Sequence, residues 1–234
     1  MEKVAKRPLD PRAQRVVDRL HSASKRQLIR SIPLVIGSTV RSRVREGTWD
    51  TTATTSGKEM LADKMVALAP AKAALMYQLC RAIDARRVVE VGTSFGVSTI
   101  YLAAAVRDNA GEGGGGSVVG TEHESAKVAI ARRNLDEAGV GDVVDILDGD
   151  LRETLRDVSG PVDLVLVDIW TPMALPALLL LEPVLRPGAL VLCDNVVGAF
   201  SQYQDYLGHV RDPDGPFQSI TLPGQGGLEI SRKR

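Results

Sequence analysis

Val88-Val89-Glu90-Val91-Gly92-Thr93-Ser94-Phe95-Gly96-Val97-Ser98 is the stretch on which the fold turns. An apolar β-branched run enters a glycine-containing turn, and a helical pattern follows. Such a run reads as a strand buried on both faces. Glycines in the turn let the backbone approach a ligand closely. The helix that follows offers unpaired N–H groups to an anion. The turn is not Gly-x-Gly-x-x-Gly, so it lacks the dinucleotide fingerprint, and it has no Lys-Ser/Thr pair, so it is no phosphate loop. A carboxylate suits it.

Outward from this turn, short apolar runs alternate with helical stretches. The spacing predicts strands at Arg87–Val91, Ser117–Thr121, Val143–Leu147, Val162–Val167 and Ala189–Cys193. Helices are predicted to begin near Gly96, Ser125, Leu151 and Pro172. Near-continuous apolar strands separated by helices mean a parallel sheet covered on both faces. The tail breaks the alternation. Residues 216–222 and 227–232 read as a hairpin joined by Pro223-Gly224-Gln225-Gly226. The expectation is an α/β fold: five parallel units closed by an antiparallel hairpin, giving a seven-stranded, mostly parallel sheet. The run 111–116 (GEGGGG) reads as a flexible surface loop.

In a parallel sheet the strand ends meet at one edge, beside the crevice where the strand order reverses. Glu122 stands at the tip of the second strand, where an acid accepts hydrogen bonds from ribose hydroxyls. Asp150 follows the third strand. Asp168 ends the fourth, and Asp194-Asn195 end the fifth. Two carboxylates and an amide carbonyl suit a hard divalent cation such as Mg²⁺. The ordinary alternative is helix capping by Asp168 and turn formation by Asp194-Asn195.

Composition bounds the rest. The chain has 234 residues, is 44% hydrophobic and has zero formal net charge, which suits one α/β domain and argues against a wholly nucleic-acid-binding or membrane-bound chain. Charge is unevenly placed. Residues 1–45 carry 12 Lys/Arg and 3 Asp/Glu, balanced by an acidic remainder. This basic arm reads as a partner-binding segment or as a solvated helical face. Residues 11–32 show a partial apolar stripe at Val16, Val17, Leu20, Leu28, Ile29 and Ile32. Residues 46–57 read as a loop, and 59–84 as two helices broken at Pro70. The domain expectation is a helical arm or lid over 1–58 and the main domain over 59–234. Cys80 and Cys193 sit in apolar runs without metal spacing, and read as buried thiols of a reducing compartment. No signal peptide is read at the N-terminus, and Pro176, Glu182, Pro183, Arg186 and Pro187 interrupt the longest apolar stretch. Cytoplasmic location is the expectation.

Taken together, the segments from about Ala69 to the hairpin resemble the cation-dependent O-methyltransferases, the group of catechol and caffeoyl-CoA O-methyltransferases within the class I S-adenosylmethionine-dependent enzymes. The resemblance is carried by Val89–Ser98, Glu122, Val162–Asp168 and above all Cys193-Asp194-Asn195. It implies a Rossmann-like fold, S-adenosylmethionine as methyl donor, a divalent metal, a small hydroxyl acceptor and a homodimer. It implies that Glu90, Gly92 and Thr93 line the donor site and that Asp168 borders it. Ser98 would bind the methionine carboxylate, Glu122 the ribose, and Asp150-Leu151 the adenine region. Leu68 falls where a backbone group touches the methionine moiety. Asp168, Asp194 and Asn195 match the metal ligands.

One position departs from the pattern. The family's lysine base, three residues after the first metal-binding Asp, is replaced by Thr171. Threonine is no base at neutral pH. His123, His209 and Lys72 are left open as substitutes. Trp170, Phe200, Tyr203 and Tyr206 lie near the expected acceptor mouth. Two other readings stand beside the small-molecule one: a tRNA-modifying methyltransferase, favoured by the basic arm, and a donor-binding protein without turnover, prompted by Thr171.

Overall fold

A computed structural model of the chain describes residues 7–27, 67–169 and 171–234. Seven strands form one sheet: β1 (Arg87–Val91), β2 (Ser117–Glu122), β3 (Val144–Asp148), β4 (Val162–Val167), β5 (Leu185–Asp194), β6 (Phe217–Leu222) and β7 (Leu228–Lys233). Their order is β3-β2-β1-β4-β5-β7-β6. The first five are parallel, and β7 pairs antiparallel with both β5 and β6. This is the expected layout. The order reverses between β1 and β4, which places a crevice above the ends of those two strands.

β5 starts four residues before the expected Ala189. The reading from sequence kept Pro187-Gly188 out of any strand, because proline has no N–H to donate. The chain bulges within β5 to accommodate them: Leu185 pairs with Val162 and Leu190 with Leu164, so the extra residues lie on β5.

Helix α1 spans 11–27, followed by α2 (Pro70–Ala82), α3 (Val97–Ala110), α4 (Ser125–Ala138), α5 (Leu151–Thr154), α6 (Ala174–Leu181) and α7 (Gln204–Arg211). Pro70 begins α2, where its missing N–H costs nothing. The sheet carries a core on each face. One is built with α1 to α4, the other with Leu155, α6 and α7. In α3 every residue from Val97 to Val106 is buried. A helix apolar on all sides needs cover on all sides, and here the sheet and α2 supply much of it.

The described part of the basic arm belongs to this core. Ala13, Val16, Val17 and Leu20 of α1 are buried. Each such Val or Leu contributes about 1.5–3 kcal/mol. Arg12 donates to the carbonyls of Glu137 (2.7 Å) and Asp136 (2.8 Å), capping the C-terminal end of α4. Arg19 pairs with Glu137 at 2.5 Å. Leu28, Ile29 and Ile32, the 46–57 loop, the first of the two helices expected over 59–84 and the expected 58/59 boundary lie outside the described residues.

His21, on α1, packs its ring 6.3 Å from that of Tyr101, and its Nε2 is buried without a partner. Burial holds its pKa below the usual 6.5, against the pull of Asp18. For a base with a depressed folded pKa, stability is full above pH 6.5 and falls as pH drops through it, because the unfolded chain takes up the proton more readily. Thermal melts between pH 7.5 and 5.5 should therefore show a loss in the native protein that His21→Leu reduces. An equal loss in both would remove His21 from the account.

Candidate active site

The first site element is the turn after β1. Gly92 adopts φ +98, and its N–H and that of Thr93 both donate to Thr121 O (3.2 and 2.9 Å). These bonds bend the chain over β2 and seat Gly92 against the backbone of Asp168. Ser94 takes φ +49, and its N–H donates to Glu122 Oε2 at 2.8 Å. Glu122 Oε1 accepts from Glu124 N at 2.9 Å. The acid at the tip of β2 thus braces two loops while facing the crevice.

A cavity of about 840 Å³ opens here, large enough for a nucleoside-sized ligand with a second small molecule. Of the residues expected to bind the donor, Leu68, Gly92, Thr93, Ser98, Glu122, Asp150, Leu151 and Asp168 all line it. Glu90 does not. It is fully buried beneath the turn, where Oε2 accepts from Thr99 Oγ1 and Oε1 has no partner. Burial pushes its carboxyl up, against the hydroxyls of Ser98, Thr99 and Thr93. The Asp150 carboxylate is engaged by Arg152, through Arg152 N (2.9 Å) and Nε (3.0 Å), and those bonds hold its pKa down at about 2.

A smaller cavity of about 180 Å³ adjoins the first, and Leu68, Asp168 and Asn195 line both. Its walls bring together Asp168, Asp194, Asn195 and Lys72. Parallel β4 and β5 deliver Asp168 and Asp194 side by side, since Val167 pairs with Cys193. Asn195 sits at φ +64, a conformation asparagine tolerates better than most residues. The loop between β6 and β7 fixes it there: Asn195 N donates to Gly227 O (2.9 Å), while Val197 N (2.8 Å) and Gly198 N (2.9 Å) donate to Gly226 O.

The electrostatics of this corner are strained. Burial, then Asp194 and Glu90, raise the Asp168 carboxyl to about 7, against Lys72. Burial also raises Asp194, against Lys72. Among the described residues no three His, Cys, Asp or Glu side chains cluster as metal ligands. The donor set here is two carboxylates and the Asn195 amide. Hard oxygen donors around a small cavity, short of positive charge, fit a divalent cation.

Thr171 also lines the larger cavity, and its hydroxyl donates to Gln202 Oε1 at 2.7 Å. Met173, Ala199, Gln202 and buried Tyr203 lie on the same wall. Phe200 is 52% exposed and lines neither cavity. Tyr206 is buried in the core instead. Trp170 lies outside the described residues. Of the three candidate bases, His209 is held by Glu182 at 2.7 Å. His123 lines the larger cavity beside Glu122. Lys72 donates to Asp194 Oδ1 and to the carbonyls of Gln225 (2.6 Å) and Gly227 (3.2 Å). That partnership was missed from sequence, although a lone lysine in Ala69-Pro70-Ala71-Lys72-Ala73-Ala74-Leu75-Met76 is a signal of it.

A family model described as a methyltransferase domain matches residues 89–196. Catechol O-methyltransferase of Mycobacterium tuberculosis is 38% identical over 120 residues, 51% of this chain and 52% of the relative. The chain spans about half the length of the curated relatives it matches first. Among solved structures, the O-methyltransferase TomG of Streptomyces achromogenes, in complex with S-adenosylmethionine, matches with TM-score 0.57 and 25% identity over 84% of this chain and 96% of that one. An O-methyltransferase from Bacillus cereus in complex with SAH shares the fold at TM-score 0.66 and 19% identity, over 85% of this chain and 97% of that one.

Proposed function

We propose, for a chain that belongs to the class I S-adenosylmethionine-dependent O-methyltransferase family, that it moves the methyl group of that donor to a hydroxyl of a small, catechol-like aromatic acceptor. The carrying observation is the junction at Asp168. There a nucleoside-sized cavity lined by Gly92, Ser98 and Glu122 meets a small one lined by Asp194 and Asn195.

In this reading the donor's methionine end lies over the Gly92 turn, with its carboxylate at Ser98 and the start of α3. Glu122 takes the ribose hydroxyls on its remaining lone pairs. Because the Asp150 carboxylate is committed to Arg152, the backbone of Asp150-Leu151 serves the adenine edge. Leu68 closes the methionine end. The acceptor lies along Thr171, Met173, Gln202 and Tyr203. When bound, the donor would supply a methyl group to the acceptor oxygen. The positively charged sulfur already activates the methyl, so the protein's task is alignment and loss of the hydroxyl proton. Asp168, Asp194 and Asn195 would hold a divalent cation. Bound there, it supplies Lewis-acid polarisation of the acceptor oxygen.

The small-molecule acceptor is favoured over RNA by a cavity sized for the donor and a small second molecule, and two arginines of the arm, Arg12 and Arg19, are bonded to α4. Among the described residues no helix is long and apolar enough to cross a membrane. A cytoplasmic homodimer completes the proposal.

The test is methyl transfer from labelled donor to a panel of catechols and hydroxycinnamates, with Mg²⁺ and with EDTA. Turnover abolished by EDTA is expected. Turnover indifferent to EDTA keeps the methyl transfer and removes the cation. Donor binding without turnover on any acceptor moves the assignment to RNA or to a non-catalytic role, and a steep salt dependence of RNA binding separates those two.

A further inference from the structure

Among the described residues Lys72 is the one cation lining the smaller cavity. Its side chain is 9% exposed and that of its partner Asp194 is 7% exposed. A lysine is seldom buried so deeply without a reason. Its nitrogen meets three acceptors: Asp194 Oδ1 and the carbonyl oxygens of Gln225 and Gly227. Three acceptors match the three hydrogens of an ammonium, whereas the lone pair of a neutral amine would face an oxygen. Lys72 is thus a fixed cation and not a proton acceptor for the substrate.

The charge balance of the corner follows. With both carboxylates ionised, as a bound cation requires, Asp168 and Asp194 bring two negative charges, and Lys72 cancels one. Of the elements around it, α2 supplies Lys72, the ends of β4 and β5 supply the two acids, β1 supplies Glu90, which bears on Asp168 from beneath, and the β6–β7 loop supplies no charged side chain. A divalent ion seated among Asp168, Asp194 and Asn195 therefore enters a site that already holds a positive charge on one of its ligands. Like charges a few ångströms apart in a shielded pocket repel strongly.

We propose that Lys72 is a positioning residue acting as a standing countercation of the Asp168–Asp194 pair. It holds Asp194 and the β6–β7 loop in place when the ion is absent, and it competes with the ion for the pair's charge. The ion is consequently held weakly and exchanges readily. The inference rests on the reading of Asp168, Asp194 and Asn195 as the cation site.

The experiment measures Mn²⁺ binding by electron paramagnetic resonance on the full chain, without donor or acceptor. It compares the native protein with Lys72→Met, Lys72→Arg and Asp168→Asn. Methionine keeps the length and apolar stem of lysine and removes the charge. Lys72→Met is expected to bind Mn²⁺ at least about tenfold more tightly, and Lys72→Arg within about threefold of native, since the charge is kept. Binding of S-adenosylhomocysteine, followed by calorimetry, should change less than about threefold in both, which separates charge removal from unfolding.

Weaker or unchanged Mn²⁺ binding by Lys72→Met, with Asp168→Asn losing the ion, overturns the role of Lys72 and leaves the site standing. Mn²⁺ binding that survives in Asp168→Asn, or that is absent from every variant, overturns the site reading and the inference with it. If Lys72→Met also loses S-adenosylhomocysteine, the lysine is a structural strut and the inference fails.

Discussion

Asp168→Asn should lower kcat/KM on the order of 10³-fold while leaving the fold intact or more stable. Asp168 borders both cavities, where the proposed function has donor and acceptor meet. Loss of one preorganised charged group at a reacting centre typically costs 10²–10³-fold. Asp168 would lose its place in the cation site as well. Asparagine has nearly the same shape, and the backbone bond from Asp168 N to Val91 O (3.0 Å) does not involve the side chain. Stability moves the other way. The native carboxyl is raised to about 7 by burial and by Asp194 and Glu90, so its charged form is unwelcome in the folded chain. A neutral amide removes that conflict, and a gain of about 1 kcal/mol is expected, a familiar exchange of function for stability. Steady-state kinetics and thermal melts read the two effects independently. Activity within tenfold of native would move the reacting centre away from Asp168.

Gly92→Ala is expected to cost about 3 kcal/mol of stability and at least about a hundredfold in donor affinity. Two effects add. The residue sits at φ +98, where a side chain is strained. An added Cβ would also run into the backbone oxygen of Asp168, and would lie 2.9 Å from Ile169 Cγ2 and 3.1 Å from Asp168 C. Backbone cannot swing aside as a flexible side chain can. Relief would have to come from pushing the end of β4 away from β1, which opens the floor under the donor. Gly111→Ala is the control. It is also a positive-φ glycine, at +59, but nothing lies within 4 Å of its added Cβ. It should show the conformational penalty alone, about 1–3 kcal/mol, with donor affinity unchanged. Equal losses in the two variants would mean that backbone strain and not crowding governs Gly92.

The architecture was legible in the chain because its signals are local. Val88–Val91, Val162–Val167 and Leu190–Cys193 are β-branched or apolar runs that only a sheet covered on both faces can bury. Pro223-Gly224-Gln225-Gly226 marks the hairpin. The acids at Glu122, Asp168 and Asp194 follow their strands directly, so a parallel sheet carries them to one edge whatever the helices do. The start of β5 was not legible, because Pro187-Gly188 reads as a break until a bulge within β5, opposite Val162–Leu164 of β4, absorbs it. Nor was the commitment of Asp150 to Arg152, which depends on a rotamer.

The environment of the site was decided only by tertiary structure. Lys72 and Asp194 are 122 residues apart, and the carbonyls that complete the lysine's shell are further still. No pattern of spacing expresses such a contact; it exists because α2 and the β6–β7 loop converge on the end of β5. The same holds for α1, whose apolar stripe allowed packing on the body or on a second subunit. Packing buried its apolar stripe on the body and turned Arg12 onto the end of α4. Local sequence determines which elements form and where their polar ends lie. Which charges then share a buried corner is set by long-range packing, because the groups that meet there come from parts of the chain far apart in sequence.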